Sequence, residues 1–313
     1  MLNPETAERI LHNDARRVID EINAFTSVTF NTRGGRLGSG MGSLLEAMWV
    51  YYMNRVLQNS GGEARLCELA WLQDHEPADF ACIVRGAPWD PASRTGELFR
   101  IEAKSMNVGV DEAKGHFANL QSETGDYDQL LVLIWSWTTS GVNYSWPRIH
   151  DYFLGPALPI IALRDELHVK RGGTFVNACR CPDGCMPSLC PHVGEPLNAS
   201  GKRERRSGPK TCRPLGVDYA ANFGGLLRML KTDSGDAREK FREMRRSNVV
   251  AHEYISFIHE HYPSEEVNQY LKSEWQQVLG RVGLPVNGES ARQINDILRD
   301  NVPGYRQVLR DMF

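Results

Sequence analysis

Apolar residues near the start of the chain recur at helical spacing. Ile10, Leu11, Ala15, Val18, Ile19 and Ile22 make one apolar face. Ahead of them Asn3-Pro4 offers a capping side chain and a proline at the first helical position, where a missing N–H costs nothing. Thr26 to Phe30 reads as a short strand, followed by the turn Gly34-Gly35-Arg36-Leu37-Gly38-Ser39-Gly40. That turn lacks the Gly-Lys-Ser/Thr ending of a phosphate loop and the GxGxxG spacing of a dinucleotide site, so it reads as a flexible entry to the next helix. Met41, Leu44, Leu45, Met48, Trp49, Tyr52 and Val56 then follow the three-four spacing of a buried stripe. Glu46 lies at the edge of that stripe, on the side shared by Gly42 and Met53.

The pattern changes to strands after residue 60. Arg65 to Trp71, Asp79 to Val84 and Leu98 to Lys104 are strand-like, and the link Arg85 to Glu97, with Gly86, Pro88, Pro91 and Gly96, is a hairpin loop too long for a tight turn. A loop in that place is also within reach of a ligand. Val110, Ala113, Phe117 and Leu120 form the apolar face of a further helix. Leu130 to Trp137 is a continuous apolar run, the signature of a central strand covered on both faces. Leu158 to Leu163 reads as one more strand, and the segments Asn222 to Lys231, Asp236 to His261, Ser264 to about Gly280 and Ser290 to Asp300 as helices, with Val249, Tyr254, Phe257 and Ile258 in their core. This order predicts an α/β fold, a mixed β-sheet core flanked by helices. The expected organisation is a core with its N-terminal helices over 1–170, a cysteine-rich insertion over 171–215 and a helical region over 216–313.

Composition narrows the class without deciding it. A chain of 313 residues can bury a sizeable core, and a net charge of −3 neither advertises nor excludes a nucleic-acid partner, because binding depends on a local basic surface. The chain has no apolar run long enough to span a membrane and no signal-peptide pattern, so a cytoplasmic protein is expected. In that compartment the seven cysteines read as thiols or metal ligands. Cys179, Cys181, Cys185, Cys190 and His192 gather among Pro and Gly residues, and four of them would satisfy a structural, tetrahedral Zn2+, with Cys212 as a possible replacement. Lys202, Arg203, Arg205, Arg206 and Lys210 follow in the most basic stretch of the chain, suited to phosphate contacts. His252, His259 and His261 have no matching carboxylate pattern and read as structural or exposed.

The chemistry concentrates between Asp79 and Lys104. Strand alternation puts Phe99, Ile101 and Ala103 on one side and Glu102 and Lys104 on the other. A carboxylate and an ammonium side by side, facing Asp79 on the neighbouring strand, are suited to hold a divalent metal and orient a water. Asp74 and Glu68 are competing choices for the first-strand acid.

With Pro77-Ala78-Asp79, Glu102-Ala103-Lys104 and Glu46 in the preceding helix, the stretch from about 37 to 140 resembles the PD-(D/E)xK nuclease superfamily, of restriction-endonuclease-like fold. It departs from the namesake motif in that Ala78 separates Pro77 from Asp79. The resemblance implies Mg2+ held by Asp79 and Glu102, with Glu46 at a second ion, and Lys104 positioning or deprotonating the attacking water. It implies an endonuclease acting on double-stranded DNA, of the type II restriction or phage-defence kind and commonly a homodimer. A repair nuclease or junction resolvase, and a zinc-stabilised nucleic-acid-binding protein with an inactive nuclease-like core, are the alternatives.

Overall fold

Asn3 and Pro4 open the first element as expected. In the computed structural model the Asn3 Oδ1 accepts the Thr6 N–H at 2.8 Å, and Pro4 starts helix α1 (Pro4–Thr29). The structure describes residues 2–30, 32–33, 40–73, 78–107, 119–140, 144–170, 173–175, 194, 196–197 and isolated positions between 253 and 302. The strand expected at Thr26 to Phe30 is instead the last turn of α1. Thr26 is completely buried, one turn on from Ile22 in the same stripe. Its carbonyl accepts the Phe30 N–H at 3.0 Å and its hydroxyl donates to the Asn23 carbonyl. Burial along an established helical face thus outweighs the preference of threonine and valine for strands.

The two-residue strand β1 (Thr32–Arg33) precedes helix α2 (Gly40–Asn59). The α2 stripe is wider than predicted: Val50, Met53 and Leu57 join it, while Leu44 points outward, 37% exposed. A single 3₁₀ turn (Gly62–Leu66) leads into β2 (Cys67–Trp71), β3 (Phe80–Val84) and β4 (Glu97–Asn107), then β5 (Gln129–Ser140) and β6 (Tyr144–Pro156). These six make one sheet in the order β1-β6-β5-β4-β3-β2. Every pairing is antiparallel except β4 with β5. A parallel neighbour demands a crossover between the end of β4 and the start of β5. The helix expected from Val110 onward falls mostly outside the described residues.

β5 is the central strand that its apolar run predicts. Leu130 to Trp135 are buried on both faces, between β4 and β6. β6 has no counterpart in the predicted order. Pro147 argues against a strand interior, but β1 pairs only with Tyr144 and Ser145, so the outer side of Pro147 needs no donor. The strand expected at Leu158 to Leu163 is corrected to helix α3 (Ala157–Lys170). An apolar run of this length does not distinguish strand from buried helix. Ile160, Ile161, Arg164 and His168 are buried at helical spacing.

The chain divides into two compact units, residues 1–117 with 124–158 and residues 118–123 with 159–313. In the first, α1 and α2 pack on one sheet face. Leu11, Val18, Ile22, Leu45, Trp49 and Met53 meet Leu69, Phe80, Phe99, Ile101, Ala103 and Leu131 in one core. In the second, the fully buried Arg164 guanidinium donates to Asp165 and to the Asn119 carbonyl, and Gln121 donates to Asp165 at 2.7 Å. A short ladder joins β7 (Thr174–Phe175) to β8 (Pro196–Leu197). Tyr254, Phe257 and Ile258 are helical and buried, as their spacing predicts. His261 sits edge-on to Phe257, with centroids 5.2 Å apart, while His252 and His259 lie outside the described residues. So do Cys179, Cys181, Cys185, Cys190, His192 and Cys212, and the basic residues Lys202, Arg203, Arg205, Arg206 and Lys210. Among the described residues no helix is long and apolar enough to cross a membrane.

Candidate active site

β4 outruns β3, and the site forms where β3 stops. The β3–β4 ladder ends at the pair Phe80 with Ile101, whereas β4 continues along β5 to Asn107. Asp79 stands at the mouth of that step. Its N–H donates to the Ile101 carbonyl and its own carbonyl accepts the Leu72 N–H, both at 3.0 Å. Its Oδ2 accepts the Ala103 N–H at 2.7 Å, replacing the backbone partner that a longer β3 would supply. The chain enters Asp79 through Ala78, held at φ +86°. A side chain in that region costs about 1–3 kcal/mol, and the hydrogen bonds of Asp79 hold the turn in place.

Glu102 and Lys104 project from β4 two residues apart, hence on one face. The Lys104 ammonium forms an ion pair with Glu102 Oε1, lies 3.8 Å from Asp79 Oδ2 and donates to the Ala103 carbonyl at 2.8 Å. The Glu102 side chain is only 10% exposed, but Lys104 and Asp79 retain 23% and 38%, so the cluster opens to solvent.

Glu46 arrives from α2. It is half-buried and hydrogen-bonded to the Ser105 hydroxyl, within the fields of Lys104, Asp79 and Glu102. Gly42, one turn earlier, makes this approach possible: a methyl group there would collide with the Ser105 Oγ. The flank of α2 that carries Gly42, Glu46 and the wholly buried Met53 therefore faces the sheet.

The charges are out of balance. Burial, reinforced by Asp79 and Glu102, pushes the Glu46 carboxyl up to about 7, against the opposing pull of Lys104 and Ser105. Burial and the Glu102 charge also raise the Asp79 carboxyl, despite Lys104 and the Ala103 N–H. For Lys104 burial works against the ammonium, but Glu102, Asp79 and Glu46 together hold its pKa above the ordinary lysine range. One ammonium thus faces three carboxylates, two of them strained in their charged forms.

An oxygen-only donor set with surplus negative charge, open to solvent on one side, suits a hard divalent cation such as Mg2+. Among the described residues no three Asp, Glu, His or Cys side chains converge as a ready-made metal cluster, and Lys104 lies between the Asp79 and Glu102 carboxylates.

Of the competing acids, Glu68 pairs with Arg85 at 3.4 Å and stands opposite Ile83, at the other end of the β2–β3 ladder from Asp79. Asp74 lies outside the described residues. The loop after β3 is tied to its own hairpin. Arg100, buried on the Glu102 face of β4, binds both Glu97 oxygens at 2.8 and 3.0 Å, and Arg94 links Glu97 to Asp128. Asp128 in turn accepts the Arg100 N–H at 2.8 Å. This buried network joins the roots of β4 and β5 two residues ahead of Glu102, a rigid base for the cluster.

Sequence reading missed Ser105 and the structural roles of Gly42 and Ala78. The first two carried a signal: Gly42 lies one helical turn from Glu46, and Ser105 lies next to Lys104 on the opposite face. No family model and no curated protein matches the chain.

Proposed function

We propose that this protein is a metal-dependent DNA endonuclease of the PD-(D/E)xK type, acting on double-stranded DNA in restriction or phage defence. The observation that carries the reading is the Lys104 ammonium lying between the Asp79 and Glu102 carboxylates at the β3–β4 step, with Glu46 delivered beside them by α2. Asp79, Glu102 and Glu46 would hold Mg2+, which when bound polarises a phosphate oxygen and makes water a better nucleophile. In hydrolysis the water oxygen bonds to phosphorus and gives up a proton, one ester P–O bond breaks, and the leaving oxygen takes a proton. Lys104, held as an ammonium, orients the water by hydrogen bonding and offsets the charge that develops on the phosphoryl oxygens. Asp79 keeps that ammonium in place and is itself held by the Ala103 N–H. Four of Cys179, Cys181, Cys185, Cys190 and His192 would hold a structural Zn2+, and Lys202, Arg203, Arg205, Arg206 and Lys210 would meet DNA phosphates. A homodimer would match two-fold symmetric targets.

Supercoiled plasmid incubated with the purified protein and Mg2+ tests the reading. Discrete linear fragments are expected. Cutting confined to branched substrates would replace a restriction activity by a resolvase, and no cutting across a range of divalent metals would leave a binding protein. Elemental analysis of protein purified without added metal is expected to find about one zinc per chain. Absence of zinc, with every thiol reactive, would remove the structural metal.

A further inference from the structure

A groove of about 360 Å³ lies between the outer side of α2 and strand β2, where the reading above assigns no function. Val50, Tyr51, Asn54, Arg55 and Gln58 line it from the helix and Trp71 from the strand. Two of these are large aromatic rings left open to solvent: Tyr51 is 63% exposed and Trp71 52%. Rings of this size are normally withdrawn from water, so a pair of them at one groove is a surface waiting for a flat partner. Among the described lining residues Arg55 is the only charged side chain, and its guanidinium is stationed 5.9 Å over the Tyr52 ring. Among the described residues that line it, the groove is therefore cationic, with no carboxylate.

The polar lining is already partly committed. The Asn54 amide donates to the Leu69 carbonyl and accepts the Leu69 N–H, each at 2.8 Å, which closes that part of the free edge of β2 to another strand. An added β-strand is thereby disfavoured, and a stacking ligand is favoured.

Both walls of the groove belong to elements that lead towards the cluster. On α2, Glu46, Val50, Asn54 and Gln58 follow one another at four-residue intervals, a single ridge that begins at the cluster. On β2, Trp71 pairs with Phe80, the residue after Asp79, and packs edge-on against it with centroids 4.6 Å apart. The next residue, Leu72, donates its N–H to the Asp79 carbonyl.

We infer that this groove takes an unstacked nucleobase of the DNA strand whose phosphate lies at Asp79, Glu102 and Lys104. The base stacks on Trp71 and Tyr51, and Arg55 at the rim meets an adjacent phosphate. Aromatic faces accept any base, so the site holds the strand without choosing a sequence. The inference rests on the nuclease reading for its ligand, yet its test does not depend on turnover.

Anisotropy of a labelled single-stranded oligonucleotide, titrated with the full chain in buffer without Mg2+, measures the contact directly. Trp71→Ala and Tyr51→Ala are each expected to weaken binding roughly 5- to 100-fold, as removal of one base-stacking ring does. Trp71→Phe, which keeps a ring at the same place, should recover most of the affinity and unfold at the wild-type midpoint. Arg55→Gln should lower the slope of log K against log salt by about 0.7, the signature of one lost phosphate contact on a single strand. Wild-type affinity in both alanine variants, or no binding by the wild type, overturns the inference. Plasmid cleavage separates the two readings. Cleaving protein with unaltered affinity in the alanine variants loses the groove and keeps the nuclease. Protein that binds through Trp71 but never cleaves keeps the groove and loses the nuclease.

Discussion

Lys104 and its three acidic neighbours set the behaviour of the site residue by residue. Lys104→Ala removes the cation that pairs with Asp79 and Glu102, and plasmid cleavage is expected to fall by at least about 100-fold while DNA binding persists. Unchanged cleavage in that variant would remove the active-site assignment. Asp79→Asn is the finer test, because its side-chain oxygen still accepts the Ala103 N–H while the charge is gone. It should fold like the wild type and fail to cleave. Glu46 makes a prediction in pH. Its folded carboxyl titrates near 7, above its ordinary value of 4.5, so the fold prefers the protonated form. The stability this gives is complete below about pH 4.5 and is lost as pH rises through 7. Glu46→Gln mimics the protonated form permanently. In metal-free buffer at pH 8 it should therefore unfold at higher denaturant than the wild type, by about 1–3 kcal/mol, with the gap closing towards pH 4.5. Parallel curves for the two proteins across that range would contradict the assignment of the shifted group.

Among elements, the packing of α2 against β4 decides whether Glu46 reaches the site at all. Helix propensity alone predicts that Gly42→Ala stabilises α2 by about 1 kcal/mol. The structure predicts the reverse, a loss of about 1–3 kcal/mol, because the new methyl displaces the Ser105 hydroxyl that holds Glu46. Adding Ser105→Ala should restore most of that loss, since the remaining Cβ lies 3.5 Å from the introduced methyl, an ordinary contact. A double-mutant cycle by urea denaturation reads the coupling, and simple additivity of the two changes would contradict it. The β3–β4 step is the other decisive feature. Had β3 begun two residues earlier, a backbone carbonyl would have taken the place of the Asp79 carboxylate as the acceptor for the Ala103 N–H.

For the molecule as a whole, the proposed site predicts a link between metal binding and folding. Unfolding disperses Glu46, Asp79 and Glu102 along the chain, so a cation that gathers them binds the folded form alone. Mg2+ at one hundred times its dissociation constant would add about 2.7 kcal/mol of stability, seen as a rise in thermal midpoint at pH 8. Asp79→Asn should flatten that response. An equal response in the variant would place the ion elsewhere. The arrangement that makes this possible is global: the elements contributing the three acids are α2, the entry to β3, and β4, which are brought together by the core that α1 and α2 form over the sheet.

Much of this protein follows from its sequence alone. The α1 and α2 stripes, the buried β5 run and the alternation of Glu102 and Lys104 are local patterns, set by periods of 3.6 and 2 that short-range geometry imposes. The gathering of acid, acid and lysine was legible for the same reason, because a hairpin brings Asp79 near Glu102 whatever surrounds it. Local pattern was silent or misleading where burial over long sequence distances decides. Thr26 stayed helical because Ile22 had already turned that face inward, and Pro147 was tolerated because β1 is only two residues long. Leu158 to Leu163 became a helix because its burial repeats at helical spacing as far as His168. The choice between Asp79 and Glu68 belongs to tertiary structure as well. Pairing register puts Glu68 beside Arg85 and Asp79 beside Lys104, and register is a property of two strands together. The α2–β4 contact through Gly42 and Ser105, which turns Glu46 from a flank residue into a member of the site, exists only once the core has closed.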